Sequence, residues 1–190
     1  MKKTVLALAC TALATPLVFA QAKNFEGFSL GANLSSAKTT FDSTALGATD
    51  GTTNSVDLNA QYNFALGQDF VLGVGVSAGT GSNKAGNYAN GTELNTKNRY
   101  ALEFTPGFAL SKDVLVYGKI ASLGATAEAA GNSESLSGIG YGLGLRGMVD
   151  KNMYWQVGYD LNQYGEKDDG AGGTYKVKSN VFSLGLGYKF

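Results

Sequence analysis

The sequence contains no histidine and a single cysteine, Cys10. Histidine is the commonest general acid or base and a preferred metal ligand, so its absence removes many hydrolytic and metal-dependent mechanisms. Serine hydrolases in particular need a histidine base beside the nucleophile. We therefore expect no enzyme and no cofactor, and we assign no catalytic, cofactor-binding or metal-binding residue.

Proline and net charge are also scarce. The chain has 2 prolines among 190 residues, and its 15 basic residues balance its 15 acidic residues. No basic patch suggests nucleic-acid binding. Glycine, in contrast, is abundant at 27 residues, and together with many Ser, Thr and Asn residues it favours strands and turns over helices.

The first residues have the layout of a secretory signal peptide. A basic start at Lys2 and Lys3 precedes an apolar stretch over residues 5–13, and small residues follow at Ala20 and Ala22. The stretch is too short to span a bilayer as a helix, which needs about 20 apolar residues. The layout therefore predicts secretion, with cleavage after Ala20 or after Ala22.

The predicted organisation is a signal peptide over residues 1–22 and one domain over residues 23–190. A lipoprotein cut before Cys10 is the alternative, although residue 7 is an alanine where a lipoprotein signal has a larger aliphatic residue. If the cut falls after Cys10, the mature chain has no cysteine, which excludes disulfides and thiol chemistry.

Most of the remaining sequence alternates between bulky apolar and small or polar residues, the pattern of a strand with two different faces. Over residues 54–66, for example, apolar residues occupy even positions, whereas Asp57 and Asn59 occupy odd ones. The pattern predicts eight strands, near residues 28–34, 54–66, 70–78, 99–110, 114–120, 139–146, 155–162 and 182–190. Leu115 breaks the alternation of the fifth strand.

The connections between these strands alternate in length. Three are tight turns, at residues 67–69, 111–113 and 150–152. The other four, near residues 36–53, 80–97, 124–137 and 164–176, are long and rich in Gly, Ser, Thr and Asn. Short turns at one end, long loops at the other and an even number of strands are typical of outer-membrane barrels. The prediction is an all-β fold: an eight-stranded antiparallel up-and-down transmembrane β-barrel with four extracellular loops.

Volume decides which face of the sheet points inward. An eight-stranded barrel is just wide enough inside to be filled by side chains, and the bulky apolar set would overfill it. The glycines and polar residues of the other parity would fit. We therefore expect the apolar face to contact lipid, with aromatic residues near the strand ends, among them Phe64, Phe70, Tyr154 and Trp155 at the turn side.

Several charged residues share the inward parity. Buried charges need partners, so we expect a lumenal charge cluster, in which Glu103, Lys119 and Asp160 lie at similar heights and Arg146 or Arg99 joins them. The main interpretation is a plug of ion pairs that fills the barrel; the alternative is a polar path for small solutes. The candidate cluster comprises Asp57, Arg99, Glu103, Lys119, Arg146 and Asp160.

The last ten residues, 181–190, end in an aromatic residue with apolar residues at alternate positions before it. Together with the signal layout and the rhythm of turns and loops, this ending resembles small outer-membrane barrels of the OmpX and OmpA transmembrane-domain type, a porin-like family. The resemblance implies that the ending is read by the barrel-assembly machinery during biogenesis. The matching positions are Phe182, Leu184, Leu186, Tyr188 and Phe190.

Two local patterns have competing interpretations. Residues 142–147 fit a dinucleotide-binding G-x-G-x-x-G pattern, but they lie within an alternating strand rather than at a strand-to-helix turn, which favours thin inward packing. The acidic run over residues 166–170 offers oxygen ligands for a cation but lacks the spacing of a calcium loop, which favours a solvated loop.

These observations favour a structural or surface-interaction role in the bacterial outer membrane, without catalytic activity. A narrow channel for small solutes is the second hypothesis, and a lipid-modifying enzyme the third. The expected partners are outer-membrane lipid and lipopolysaccharide, and we expect a monomer. The sequence names no ligand or host factor.

Overall fold

The computed structural model describes residues 22–44, 47–87, 93–129, 132–168 and 173–190. A short 3-10 helix, Ala22–Phe25, precedes the strands. The strands are β1 (Gly27–Ser43), β2 (Gly47–Leu66), β3 (Phe70–Gly79), β4 (Asn83–Asn87), β5 (Glu93–Ser111), β6 (Val114–Ala129), β7 (Asn132–Met148), β8 (Met153–Tyr164), β9 (Lys167–Asp168) and β10 (Thr174–Lys189). Among the described residues, no helix is long and apolar enough to cross a membrane.

Eight of these strands form a closed antiparallel ring. Each pairs with its neighbour in the order β1-β2-β3-β5-β6-β7-β8-β10, and β10 pairs back with β1. The short strands β4 and β9 continue the lines of β3 and β8 and pair with β5 and β10. The prediction of an eight-stranded up-and-down barrel is confirmed. Closure leaves the ring without a free edge, so the ladders satisfy the backbone within the sheet.

The tight turns lie where they were predicted, between β2 and β3, β5 and β6, and β7 and β8. The predicted extent of the four long loops is wrong. Most of the segment 36–53 is strand, because β1 and β2 stay paired up to Ser43 and Gly47. Strands also occupy much of the other three segments, and β6 and β7 pair as far as Ala129 and Asn132. Residues 45–46, 88–92, 130–131 and 169–172 lie outside the described residues.

The half of the barrel next to the turns, here called the membrane zone, has an apolar outer surface. Leu102 is 57 % exposed, whereas the side chain of its neighbour Glu103 is 14 % exposed. The assignment of bulky residues to the outer face is thus confirmed. One residue differs from expectation: Tyr154, expected at the lipid boundary, points inward and is buried. Leu115, which interrupts the alternation of its strand, also points inward and is buried.

The far half of the barrel, here called the collar, reverses this arrangement. It comprises residues 35–43, 47–55, 83–87, 93–99, 123–129, 132–138, 162–168 and 174–181. Its interior holds an apolar cluster, with Phe41, Val177 and Leu136 at 3 % exposure or less, beside small polar residues such as Thr39 and Ser179. Its outer face is polar and includes Lys38, Asp42, Asp50, Thr52, Asn54, Ser135, Ser137, Lys176, Lys178 and Asn180.

Apolar clusters close the interior at both ends. At the turn end, Ala22 and Phe25 of the N-terminal segment pack against Val71, Leu115 and Tyr154. Hydrogen bonds tie the same segment to the turns: the Ala22 amide donates to Gln68 O at 2.8 Å, and Asn24 Nδ2 donates to Lys112 O at 2.6 Å. The second cluster lies in the collar and contains Phe41, Ala125, Ala127, Leu136, Tyr175 and Val177.

Candidate functional site

Between the two apolar clusters lies a polar cavity of about 110 Å³. Strands on every side of the ring contribute to its wall, because alternate residues point inward along each of them. All six charged residues singled out from the sequence line it: Asp57, Arg99, Glu103, Lys119, Arg146 and Asp160.

Lys119 is the centre of the largest charged group in the cavity. Its Nζ lies 2.8 Å from Asp160 Oδ2 and 3.8 Å from Glu103 Oε1, so one ammonium faces two carboxylates. The Ser77 hydroxyl donates a hydrogen bond of 2.7 Å to Glu103 Oε1. Asp160 Oδ1 is buried and has no hydrogen-bond partner among the described residues. The group carries one excess negative charge.

A second ion pair lies where the cavity meets the collar. Arg99 Nη2 is 3.3 Å from Asp57 Oδ1 and donates to the Ser55 hydroxyl at 3.0 Å. Arg99 enters the barrel next to an irregularity, since the ladder between β5 and β6 shifts between Lys97 and Tyr100. Asn98 has φ 48° there, a left-handed conformation that asparagine tolerates.

Arg146 occupies the part of the cavity nearest the turns and forms no ion pair among the described residues. Its Nη2 donates to Gln156 Oε1 at 2.8 Å and to Gln61 Oε1 at 3.3 Å. Its guanidinium carbon also lies 4.4 Å from the centre of the Tyr154 ring, within cation–π distance. Neither Arg146 nor Arg99 therefore joins the Lys119 group, as was expected of one of them. The charge of Arg146 nevertheless balances the excess negative charge of that group within the cavity.

A network of amide side chains surrounds these charges and was not singled out from the sequence. Gln61 Nε2 donates to Thr105 Oγ1 at 2.9 Å, and Gln156 Nε2 donates to Asn33 Oδ1 at 2.7 Å. Asn33 in turn donates to Asn59 Oδ1 at 3.3 Å. The sequence pattern could have indicated this network, because these residues share the inward parity and buried amides need hydrogen-bond partners.

Gly142 and Gly144 of the G-x-G-x-x-G pattern are packing positions within β7, whereas Gly147, near the strand end, lies beside the exposed Trp155. A side chain at Gly142 would overlap Asp160, and one at Gly144 would overlap the ring of Tyr117. Gly144 is the direct ladder partner of Tyr117, so the ring lies across the glycine backbone. These glycines leave room for inward side chains on neighbouring strands, consistent with the interpretation of thin inward packing.

The acidic run is partly described. Glu166 accepts a hydrogen bond from the Thr174 hydroxyl, and its Oε2 lies 2.9 Å from Lys176 Nζ. These contacts lower the pKa of Glu166, with the Thr174 bond the largest cause, and the Glu166 carboxylate raises the pKa of Lys176. Residues 169 and 170 lie outside the described part. No group of three or more His, Cys, Asp or Glu residues in the described ranges is arranged to hold a metal ion.

The outer face of the collar pairs most of its charges across strands. The outer pairs are Lys38 with Asp50 at 2.9 Å, Lys84 with Glu93, Lys97 with Glu128, and Lys176 with Glu166. Lys167 lies 3.4 Å from Glu134 on the inner side, where Glu134 also accepts a hydrogen bond from the Tyr175 hydroxyl. The collar surface is therefore densely charged but close to neutral, without a broad field of one sign.

The C-terminal strand β10 presents its alternate residues to the outside of the membrane zone. They are all more than 45 % exposed, and the final residue is the most exposed of them at 68 %. The set comprises Phe182, Leu184, Leu186, Tyr188 and Phe190.

Solved structures with this geometry include two small barrels from bacterial outer membranes. Ail, the attachment invasion locus protein of Yersinia pestis, was solved in complex with the heparin analogue sucrose octasulfate. It is 22 % identical to this chain, with 87 % of this chain and 99 % of Ail covered and a TM-score of 0.55. Neisserial surface protein A is 19 % identical, with 87 % and 98 % covered and a TM-score of 0.55. These likenesses concern the fold.

No curated protein sequence matches the chain significantly. The family model for the outer membrane protein beta-barrel domain, in contrast, matches residues 5–190, nearly the whole sequence. The closed ring, the lipid-facing apolar belt and this match agree, and they establish the location in the bacterial outer membrane. The chain belongs to the outer membrane protein beta-barrel family.

Proposed function

We propose that the protein is a non-catalytic surface protein of the outer membrane, which holds a rigid polar collar above the lipid and conducts no solute. The observation that carries the proposal is the filled interior. Apolar clusters pack across the barrel at both ends, and the cavity between them is occupied by paired charges and amides. An eight-stranded barrel offers just enough interior space for such side chains.

The collar supports an interaction role rather than transport. Its strands continue the ladders of the membrane zone, so its outer face is preorganised, and preorganised surfaces lose little conformational entropy on binding. The collar is poorly suited to a sulfated ligand such as the heparin analogue bound to Ail. The collar lysines Lys38, Lys97 and Lys176 each face a carboxylate, so they offer little free positive charge to sulfates.

We further propose the partners that the fold requires. Membrane lipid and lipopolysaccharide surround the apolar belt, and the barrel-assembly machinery binds the outward residues of β10 before insertion. The protein works as a monomer, because a closed ring with an apolar coat needs no second copy to satisfy its backbone. Deletion of Phe190 is expected to lower the amount of assembled barrel in cells while refolding of purified protein into detergent is unchanged.

A two-part experiment tests the main proposal. First, the protein should remain in urea-washed outer membranes and show heat-modifiable mobility in SDS gels; recovery in the soluble periplasmic fraction would contradict it. Second, purified protein in planar bilayers should show no reproducible conductance steps. Steps that change when Glu103→Gln alters the cavity charge would replace the proposal with the alternative of a narrow solute channel.

Purified barrel incubated with lipopolysaccharide or phospholipid substrates should give no acyl transfer or hydrolysis product. The absence of histidine in the sequence motivates this expectation, since the known lipid-modifying mechanism of serine hydrolases requires a histidine base. Turnover above that of a boiled sample would overturn the non-catalytic assignment.

We propose that residues 1–20 are removed as a signal peptide, a boundary two residues earlier than the predicted 1–22. Ala22 is 0 % exposed and its amide donates to Gln68 O, so cleavage after Ala22 would delete a packed residue of the turn-end cluster. Intact mass measurement of protein from outer membranes should give a chain beginning at Gln21. A chain beginning at Lys23 would contradict this boundary.

A further inference from the structure

The lipid-facing wall contains a shallow groove of about 550 Å³, lined almost entirely by apolar atoms. Its lining includes Leu30, Ala60, Val76, Leu102 and Ser122. These residues are direct ladder partners on successive strands, so they form one continuous row across β1, β2, β3, β5 and β6. The lining also includes Leu58, Ala78 and Tyr100, which are ladder partners in the next row. The groove therefore lies along two adjacent rows of the sheet.

Small side chains and one tilted ring create the groove. Ala60 and Ala78 form part of its lining where most neighbouring outward positions carry Leu, Val or Phe. Tyr100 is the ladder partner of both Ala78 and Gly124. Its ring lies over Gly124, where an added Cβ would overlap it. Because the ring leans toward β6, the space above Ala78 on the other side stays open.

The row is oblique to the membrane. Strands of such barrels tilt by about 35–45°, so a row perpendicular to the strands rises by the same angle. Four strand spacings of about 4.8 Å give about 19 Å along the row and a rise of about 12 Å, a little under half of a hydrocarbon core about 30 Å thick. Ser122, the upper end of the row, follows Ile120, the last bulky apolar residue on the outer face of β6, and Leu30, the lower end, is the second of the four outward residues of β1 below the collar.

The two ends of the groove differ in chemistry. Ser122 is exposed and carries a hydroxyl at the boundary between the apolar belt and the polar collar. Every other side chain along the row is apolar, down to Leu30. A lipid in the leaflet next to the collar has the same order of groups, with an ester at the interface and a hydrocarbon chain running toward the bilayer centre.

We propose that this groove binds one acyl chain of a lipid in the leaflet next to the collar, with the lipid's ester carbonyl accepting a hydrogen bond from Ser122. The inference rests on the membrane placement described above. The groove is continuous with the lipid-facing surface, which makes lipid its occupant. Lipid tails are as apolar as leucine, so the selectivity comes from packing in the groove and from the hydrogen bond.

Native mass spectrometry of the folded protein tests the proposal. Protein reconstituted with dimyristoylphosphatidylcholine and released gently should retain one lipid under conditions that remove the surrounding annular lipids. The double variant Ala60→Leu/Ala78→Leu fills the groove and should lose the retained lipid. Ser122→Ala should lower its occupancy about threefold, the size of effect found for single hydrogen bonds inside membranes.

Ala32→Leu provides the matched control. Ala32 is also an exposed alanine of the lipid-facing surface, but it lies outside the groove, so this variant should retain the lipid as the wild type does. Unchanged retention in Ala60→Leu/Ala78→Leu would overturn the proposal. So would a wild-type dimer that the same double variant dissociates, since the occupant would then be a second copy. Heat-modifiable mobility of each variant reports folding separately, so loss of the barrel itself is distinguishable from loss of the bound lipid.

Discussion

The membrane zone and the collar use the same strands in opposite ways. In the membrane zone, Leu102 faces outward and Glu103 inward; in the collar, Lys176 faces outward and Val177 inward. The ladders run through the change without a break in β7, where Leu143 and Ser135 lie on the same outer face. The comparison shows that the surrounding solvent, rather than the sheet, decides which parity is apolar, and it marks the height at which lipid gives way to water.

The interior of the membrane zone can be disrupted by removing one charge. Lys119→Met leaves Glu103 and Asp160 facing each other without a cation. Breaking a buried ion pair from one side costs about 3–5 kcal/mol, so the urea midpoint of unfolding in lipid vesicles should fall sharply. The triple variant Lys119→Met/Glu103→Gln/Asp160→Asn should recover most of the stability. A single variant as stable as the wild type would show that this cluster is not a structural plug.

The interior of the collar should respond to the loss of an apolar side chain instead. Phe41 is 1 % exposed and stacks on Tyr175 with ring centres 5.9 Å apart. Phe41→Ala should cost about 3–5 kcal/mol, the usual range for a buried aromatic residue. Hydrogen exchange should show the loss of protection in collar residues, with the membrane zone unchanged. Thr40→Ala, on the outer face, is the control and should leave exchange unaltered.

The outer surface offers the most direct test of the boundary. Leu143→Arg places a charge in the apolar belt and should destabilise the barrel by about 2–4 kcal/mol at the bilayer midplane. Ser135→Arg puts the same charge on the same strand and face, within the collar, and should have little effect. The measurement is unfolding in vesicles of defined lipid. Equal effects at the two positions would remove the distinction between membrane zone and collar.

The smallest expected effect concerns the surface pair of the collar. The Thr174 hydroxyl and Lys176 lower the pKa of Glu166. The ionised Glu166 therefore contributes to the stability of the fold above its ordinary pKa of 4.5, and this contribution is lost as the pH falls through the lowered pKa. The pKa of Lys176 is raised, so its contribution to stability is present below the ordinary pKa of 10.5 and is lost as the pH rises through the raised pKa. NMR titration of the Glu166 carboxyl should show its pKa rising in Thr174→Val and staying unchanged in the control Lys178→Gln.

The sequence was sufficient to predict the ring and its lipid-facing parity, because a period of two residues is strong over the membrane zone and the volume of eight strands allows only one orientation. The prediction of loops in the collar was wrong. There the polar residues lie outside, and segments such as 36–53 resemble loops in composition. Ala37, Thr39 and Phe41 do alternate with Lys38, Thr40 and Asp42. In this segment, however, the more polar residues face outward, the reverse of the membrane zone.

The interior was predictable in kind but not in pairing. Parity alone identified the six charged residues that line the cavity, since inward positions recur every second residue. Their partners depend on strand stagger, which the sequence does not give. Arg146 therefore lies among amides and the Tyr154 ring rather than beside Glu103 or Asp160. Tyr154 itself was assigned to the lipid boundary because aromatic residues cluster there, although its even position on β8 places it inside.

The pairing of β1 with β10 has a consequence for synthesis. It joins Ser29 in the first strand to Lys189 in the last, so the ring closes only when every strand between them is present. Until the last strand is translated and exported, two edges would expose backbone groups that lipid cannot hydrate. We therefore expect closure to be a single step that brings the first and last strands together, rather than insertion of one hairpin at a time.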